Sequence, residues 1–186
     1  MALNRYYSSK KYESRSKVLS LGVKCVFISH QQRDKDAAKK IADYLIEAGI
    51  DVYFDAYDGD LRIHHQSNNA KAVTDSIRQG INNSSHMLVL VSPNTLYSTW
   101  VPFEIGYGYD KTDLFVLCLK GIPKGGLPEY VRSATIIRDI WDINQFISNT
   151  LDRAIEPLFE SKKLFSHNND SNPLSTVMDT LINENY

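Results

Sequence analysis

HMLVLV at residues 86–91 is a continuous apolar run that ends at the turn-forming residues Ser92, Pro93 and Asn94. An apolar run without alternation is typical of a strand that is covered on both faces, as the strands of parallel sheets are. We therefore predict a central strand of a parallel sheet at this position.

Four further apolar runs surround this strand, and helical patterns separate them. The further predicted strands are residues 23–29, 51–54, 114–119 and 134–137. The predicted helices are residues 34–48, closed by Gly49; residues 71–81; a helix that begins near Ser98 or Thr99; and residues 143–165, interrupted near Pro157. Strands that alternate with helices indicate βαβ units, so the sequence predicts an α/β fold with a parallel sheet.

The helix that follows the central strand carries the most informative pair of side chains. A hydroxyl cap at Ser98 or Thr99 is expected at its start. Trp100 and Glu104 are four residues apart and therefore share one face of this helix. Ligands of α/β proteins bind at the carboxyl ends of the strands, where this pair lies. Two interpretations stay open: a shielded functional carboxylate, or a core tryptophan beside a solvated glutamate.

Length and composition predict one domain with terminal extensions. The chain has 186 residues, of which 42% are hydrophobic, enough for one sizeable core. We assign residues 1–22 to an N-terminal extension, 23–165 to the domain and 166–186 to a C-terminal tail. In the tail, 167–173 are predicted to be a flexible break, and 174–182 either a short amphipathic helix that docks on a partner or a frayed end.

The charge pattern argues against nucleic acid and membranes as partners. Lysine and arginine number 21 against 22 acidic residues, and no long basic block exists to follow a phosphate backbone. No apolar run has the length of a signal peptide core or of a spanning helix, which needs about 18 apolar residues. We therefore expect a cytoplasmic protein.

The remaining chemical motifs are mostly negative. Cys25 and Cys118 lie in strand-like runs, which favours buried thiols without a catalytic role. The side chains of His64 and His65 point apart on regular structure, and no carboxylate or cysteine is spaced to complete a site, so no metal is predicted. The absence of a Gly-x-Gly-x-x-Gly turn and of a phosphate-binding lysine loop disfavours dehydrogenases and nucleoside triphosphatases.

Several short motifs occur in an order and at a spacing that are specific only when taken together. They read FISH at 27–30, GIDVYFD at 49–55, IRQGI at 77–81, MLVLVS at 87–92 and STWVPFE at 98–104. With these motifs, residues 24–151 resemble a Toll/interleukin-1 receptor (TIR) domain. The resemblance implies a flavodoxin-like sheet of five parallel strands flanked by helices on both faces. In the enzymatic branch of the family it also implies cleavage of NAD+, as the substrate and without a cofactor, at the nicotinamide–ribose bond.

The resemblance assigns the catalytic role to Glu104, which matches the family's glutamate. One carboxylate suffices for this reaction because nicotinamide leaves as a neutral ring, and the acid would stabilise the positive charge that develops on the ribose. Trp100 and Phe103 are candidate substrate-binding residues, and their apolar cover would strengthen that stabilisation. Attack by water would give ADP-ribose, whereas attack by the adenine or a ribose hydroxyl of the same molecule would give a cyclic nucleotide. The sequence does not distinguish between these two products.

Other candidate substrate contacts follow the first two predicted strands. Ser29, His30 and Asp55 are expected at the same rim of the sheet. Arg62, in the long polar loop 55–69, is a candidate partner for a phosphate. The alternative interpretations are that Ser29 is a turn hydroxyl, His30 an exposed histidine and Arg62 a solvated arginine.

Two departures favour the bacterial enzymatic branch over receptors and adaptors. Receptors and adaptors tend to carry Arg-Asp followed by Pro-Gly in the loop after the second strand, whereas the loop 55–69 contains no proline. They also carry a C-terminal Phe-Trp pair, whereas Trp141 of this chain is not preceded by phenylalanine. With short extensions and no visible effector domain, the chain resembles the stand-alone TIR proteins of Thoeris-type anti-phage systems, whose nucleotide product is sensed by a separate effector protein. A homo-oligomer is also compatible with the resemblance.

Two other functions stay open. A non-catalytic TIR module would bind proteins through its helices and loops, and Glu104 would then be structural. A nucleoside deoxyribosyltransferase has a similar sheet and also places a glutamate on a ribose.

Overall fold

A computed structural model describes residues 1–9, 11–12, 14–55, 70–123 and 125–182. The described residues form a five-stranded sheet with the strands β1 (Cys25–Ser29), β2 (Asp51–Tyr53), β3 (His86–Val91), β4 (Asp113–Cys118) and β5 (Thr135–Ile137). All neighbouring strands are parallel, in the order β2-β1-β3-β4-β5. This is the flavodoxin-like order. The predicted α/β fold with a five-stranded parallel sheet is therefore confirmed.

The α-helices lie before β1, between consecutive strands from β1 to β4, and after β5. Within the described residues they are α1 (Arg15–Ser20), α2 (Lys35–Ala48), α3 (Ala70–Asn82), α4 (Trp100–Gly108), α5 (Ile140–Leu151) and α6 (Ile155–Glu160). Gly49 ends α2 with φ of 106°, a left-handed conformation that costs glycine little. None of the described helices combines the length and the apolar character that crossing a membrane requires.

The side chains of the strands alternate between two hydrophobic clusters, one on each face of the sheet. On β1, Val26 and Ile28 belong to the cluster with α2 and α5, which we call the back face. Cys25 and Phe27 belong to the cluster with α3 and α4, which we call the front face. Both faces are covered, as the unalternated apolar runs predict.

The last predicted helix is divided into α5 and α6. Asp152 closes α5 in a left-handed conformation with φ of 52°. Pro157 lies in the first turn of α6, where a missing N–H is tolerated. The interruption therefore lies at 152–154, just before Pro157 rather than at it.

The C-terminal tail packs on the back face of its own chain. Residues 166–182 form turns, and the predicted docking helix is absent from this described stretch. Leu174 and Met178 are fully buried in the back-face cluster. Asn172 is buried and donates a hydrogen bond to the Phe165 carbonyl at 3.1 Å. This bond anchors residues 167–173, for which the sequence had predicted a flexible break. Over residues 174–178 the structure therefore shows neither alternative, a docking helix or a frayed end, because these residues form turns whose apolar side chains cover the chain's own core.

Candidate active site

A cavity of about 290 Å³ lies on the front face at the carboxyl ends of β1 and β2. The described residues that line it are Tyr6, Phe27, Ile28, His30, Gln31, Gln32, Tyr53, Asp55, Ser76, Ile77, Tyr97, Ser98, Thr99, Trp100 and Glu104. Its volume is near the lower end of the range for ligand pockets, about 300–1,000 Å³. This is the edge of the sheet at which α/β proteins bind ligands.

Glu104 is the buried carboxyl group of this cavity. Only 8% of the residue is exposed, and its Oε2 accepts a hydrogen bond from the Ser29 hydroxyl. Burial raises the pKa of Glu104 to about 7, and the Ser29 hydrogen bond opposes this rise because it favours the ionised form. A perturbed acid in a cleft is a candidate functional group.

The start of α4 places Trp100 and Glu104 together. The Ser98 hydroxyl accepts a hydrogen bond from the Val101 N–H at 3.1 Å, and Thr99 makes no side-chain cap bond. Of the two predicted caps, Ser98 is therefore the one that forms. Pro102 follows in the first turn, where helices tolerate proline. Both predicted members of the Trp100 and Glu104 pair line the cavity, as their shared helix face requires.

Phe103 is not among the residues that line the cavity. Its ring contacts Trp100 edge-on at 5.9 Å between ring centroids and stacks on Tyr107 at 6.4 Å. Consecutive helix residues differ by about 100° in direction, so Phe103 and Glu104 face different ways. Phe103 therefore packs against Trp100 outside the lining of the cavity, and the structure does not support its predicted contact with substrate.

The other predicted contacts have different placements. Ser29 is 1% exposed, and its hydroxyl is engaged with Glu104, so it holds the carboxyl group instead of opening to the cavity. His30 and Asp55 line the cavity, and the His30 ring lies 5.2 Å from the Phe54 ring. Arg62 lies outside the described residues.

Several residues that line the cavity were not predicted from the sequence. Gln31 and Gln32 directly follow the His30 motif, so their position after β1 was a usable signal. Tyr97 lies in the turn before α4 and is 80% exposed. Tyr6 comes from the N-terminal extension, where no local pattern points to the cavity.

The two cysteines are free, as predicted. Cys25 is fully buried, and burial raises the pKa of its thiol to about 12. Cys118 is partly buried, and burial also raises its pKa. No cluster of three or more metal-ligating side chains occurs in the part of the chain that the structure describes. His64 and His65 lie outside that part.

Comparisons with known proteins agree with this architecture. A family model described as TIR domain matches residues 26–156. A curated relative is the NAD(+) hydrolase TirS of Staphylococcus aureus (strain MSSA476), which is 35% identical to this chain over 80 residues. The matched part is 42% of this chain and 26% of that protein, so the chain spans about a quarter of the relative's length.

Proposed function

This chain belongs to the TIR domain family, and on that premise we propose that it cleaves NAD+ at the bond between nicotinamide and ribose. The observation that carries the proposal is the buried Glu104, which shares the cavity with Trp100 and is held by Ser29. The name of the relative TirS, an NAD(+) hydrolase, supports the same reaction.

The reaction needs only one carboxylate. When the bond between the ribose anomeric carbon and the ring nitrogen breaks, its electron pair passes to the cationic nicotinamide ring, which leaves neutral. The remaining ribose carries a positive charge, and the ionised Glu104 would stabilise it and accept hydrogen bonds from the ribose hydroxyls. NAD+ is the substrate, and no cofactor takes part.

Neutral polar groups would bind the rest of the substrate. Gln31, Gln32 and Thr99 offer amide and hydroxyl donors for the pyrophosphate and ribose oxygens. His30 and Asp55 line the same cavity and are proposed as ribose contacts. No lysine or arginine occurs among the described lining residues. The predicted pairing of Arg62 with a phosphate stays part of the proposal.

We further propose that the product is a cyclic ADP-ribose signal. Attack of water on the anomeric carbon gives ADP-ribose and a proton, whereas attack by an adenine nitrogen or ribose hydroxyl of the same molecule closes a ring. Exclusion of water from the reacting carbon in the closed site would favour the second course. In keeping with the Thoeris resemblance, the signal would act in the bacterial cytoplasm on a separate effector protein during phage infection.

The test is NAD+ turnover by the wild type and the Glu104→Gln variant. Glutamine keeps the shape of the side chain and can still accept the Ser29 hydrogen bond, but it carries no charge. We expect nicotinamide release to fall by about 100-fold or more. Glu47→Gln, which changes an exposed glutamate of α2, is the matched control and should keep full activity. Mass spectrometry measures nicotinamide and separates ADP-ribose from its cyclic form, which lacks one water.

Two outcomes would contradict the proposal. Undiminished nicotinamide release by Glu104→Gln would remove the catalytic role of Glu104. Absence of release from the wild type, also after addition of lysate from phage-infected cells, would favour the protein-binding module instead. Transfer of deoxyribose from a deoxynucleoside to a free base would identify the deoxyribosyltransferase.

A further inference from the structure

The N-terminal residues 3–9 lie along the free edge of β2. The Val52 N–H donates to the Leu3 carbonyl at 3.1 Å. The Asn4 amide nitrogen donates to the Phe54 carbonyl at 2.7 Å, and the Asn4 side-chain oxygen accepts from the Phe54 N–H at 3.1 Å. A single asparagine side chain thus pairs with both backbone groups of Phe54, as a neighbouring strand would.

Charged contacts fix the same segment at two further points. The Arg5 Nε donates to an Asp51 carboxylate oxygen at 2.6 Å, and both side chains are largely buried. The Lys11 ammonium donates to the carbonyls of Arg5 and Tyr6 at 2.8 Å each. It also lies 4.9 Å from the centre of the Tyr53 ring, a cation–π contact. Hydrogen bonds of this kind involve a charge and are stronger than neutral ones.

These contacts place Tyr6 in the wall of the cavity. The Tyr6 N–H donates to the Asn4 side-chain oxygen at 3.1 Å, so the anchoring side chain also fixes Tyr6. The Tyr6 ring meets the Tyr53 ring edge-on at 5.7 Å, and both rings line the cavity. The cavity therefore has one aromatic wall from residues 3–9 and β2, and another from Trp100 on α4.

The two aromatic walls stand on opposite sides of β1. The strand order places β2 on one side of β1 and β3, which leads into α4, on the other. Neighbouring strands are about 4.8 Å apart, so β2 and β3 lie about 10 Å apart on the two sides of β1. A dinucleotide has two planar rings joined by a chain, and its nicotinamide ribose must lie at Glu104, beside Trp100. The wall that contains Tyr6 is left for the other ring.

We propose that Tyr6 contacts the adenine ring of the substrate, so that the N-terminal segment completes the binding site for the adenosine half of NAD+. This inference rests on the proposed function. Aromatic side chains bind nucleobases by stacking, and the loss of one such contact weakens binding by about tenfold or more. Tyr6 acts on binding and not on bond cleavage, because it belongs to the cavity wall on the β2 side, whereas Glu104 belongs to α4, which follows β3.

The test measures binding in the Glu104→Gln background, in which NAD+ stays intact. Calorimetry with NAD+ compares this parent protein with Tyr6→Ala, Tyr6→Phe and Tyr130→Ala. Tyr7 is unsuitable as a control because its ring packs edge-on against the Tyr6 ring at 5.0 Å. Tyr130 is the matched control, because it is a tyrosine that is 42% exposed and is not among the lining residues. We expect Tyr6→Ala to raise the Kd for NAD+ about tenfold, and Tyr6→Phe and Tyr130→Ala to leave it unchanged.

Nicotinamide mononucleotide, which lacks the adenosine half, identifies the end of the substrate that Tyr6 contacts. Tyr6→Ala should leave its Kd unchanged. Asn4→Ala, which removes the anchor from outside the cavity, should reproduce the selective loss for NAD+ if Tyr6→Ala folds poorly. With Glu104 restored, Tyr6→Ala should raise KM for NAD+ at constant kcat, the pattern of a group that binds ground state and transition state equally.

The outcomes separate this inference from the proposed function. An unchanged Kd for NAD+ in Tyr6→Ala, or an equal loss for both nucleotides, would overturn the adenine contact while nicotinamide release by the wild type continued. Selective loss of NAD+ binding together with a wild type that releases no nicotinamide would uphold the contact and overturn the reaction. A parent protein that binds neither nucleotide, together with a wild type that releases no nicotinamide, would overturn both.

Discussion

Glu104 combines a buried position with a proposed reaction that needs its ionised form. Burial raises its pKa to about 7, so near neutral pH a large share of the free protein carries the protonated acid. The Ser29 hydrogen bond works in the opposite direction, because it stabilises the carboxylate. A bound NAD+ also brings a cationic ring beside the acid, which favours ionisation. We therefore propose that Ser29 is a positioning residue that also sets the fraction of the protein with an ionised Glu104.

This balance predicts a pH profile. The kcat/KM for NAD+ reports ionisation in the free enzyme, so it should rise as pH increases through about 7 and level off above it. In Ser29→Ala the carboxylate loses its hydrogen bond, so the midpoint should move to higher pH. We expect kcat/KM at pH 7 to fall about tenfold and the high-pH plateau to change less. Initial rates of nicotinamide release between pH 5.5 and 9, a range chosen to span the midpoint by about two units, measure both effects.

Ser84→Ala is the matched control for this profile. Ser84 is also fully buried and hydrogen-bonded, but it precedes β3 and so lies at the end of the sheet away from the cavity. Its variant should keep the wild-type midpoint. If Ser29→Ala lost activity equally at every pH, the hydrogen bond would act on folding or geometry and not on the charge of Glu104.

The two loops that border the cavity are tied to each other by Asp34. Its carboxylate accepts hydrogen bonds from the Ser92 hydroxyl at 2.5 Å and from the Asn94 amide at 2.8 Å. Asp34 follows β1 and Ser92 follows β3, so the bonds join the loops on the two sides of the cavity. Thr95, fully buried, accepts from the Ser92 N–H at 2.8 Å and continues this link toward α4.

Removal of this link should weaken both the fold and the site. In Asp34→Ala the buried Ser92 hydroxyl and the Asn94 amide lose their acceptor, which costs about 1–3 kcal/mol of unfolding free energy. We expect a higher KM for NAD+ because the loop with Tyr97 and Thr99 is less well positioned. Urea unfolding and steady-state kinetics measure the two effects. Asp36→Ala, at an exposed position of α2, should change neither, and a stable Asp34→Ala with normal KM would contradict the proposed link.

The regular elements were predictable because each rests on local patterns. His86–Val91 is a buried parallel strand and reads as an unbroken apolar run, and its predicted bounds are those of β3. The bounds predicted for the helix at 71–81 differ from those of α3 by one residue at each end. Glu104 was found because a spacing of four residues on a helix fixes its direction relative to Trp100.

The parts that were missed depend on contacts between distant residues. Tyr6 enters the cavity because Asn4 binds the backbone of Phe54, 50 residues further along the chain. No periodicity within residues 1–22 reports such a contact. The prediction for Phe103 failed for a local reason. Because α4 is apolar on all sides, hydrophobicity alone does not indicate which of its apolar residues faces the cavity.

The N-terminal and C-terminal segments of the described residues both contribute to the fold, on opposite faces of the sheet. Residues 3–9 extend the free edge of β2 and supply a front-face wall of the cavity. Residues 164–178 supply Leu164, Leu174 and Met178 to the back-face cluster, although the matched family region ends at residue 156. The Lys120 N–H donates to the Val177 carbonyl at 2.9 Å and ties this segment to the end of β4.

This division predicts that stability and activity can be separated by a change on the back face. Met178 is fully buried there, so Met178→Ala should lower the free energy of unfolding by about 2–4 kcal/mol through lost burial and a residual cavity. Because the sheet lies between Met178 and the cavity, kcat/KM for NAD+ should stay at the wild-type value well below the unfolding temperature. Thermal unfolding followed by circular dichroism, with kinetics at low temperature, measures both.

Thr180→Ala is the matched control, since Thr180 is exposed in the same segment and its variant should keep wild-type stability. If Met178→Ala were as stable as Thr180→Ala, the C-terminal segment would not be part of the cooperative core. If instead Met178→Ala lowered kcat/KM in the folded protein, the two faces would be coupled through the sheet. Loss of stability with intact turnover is the result that assigns the C-terminal segment to the fold and not to the site.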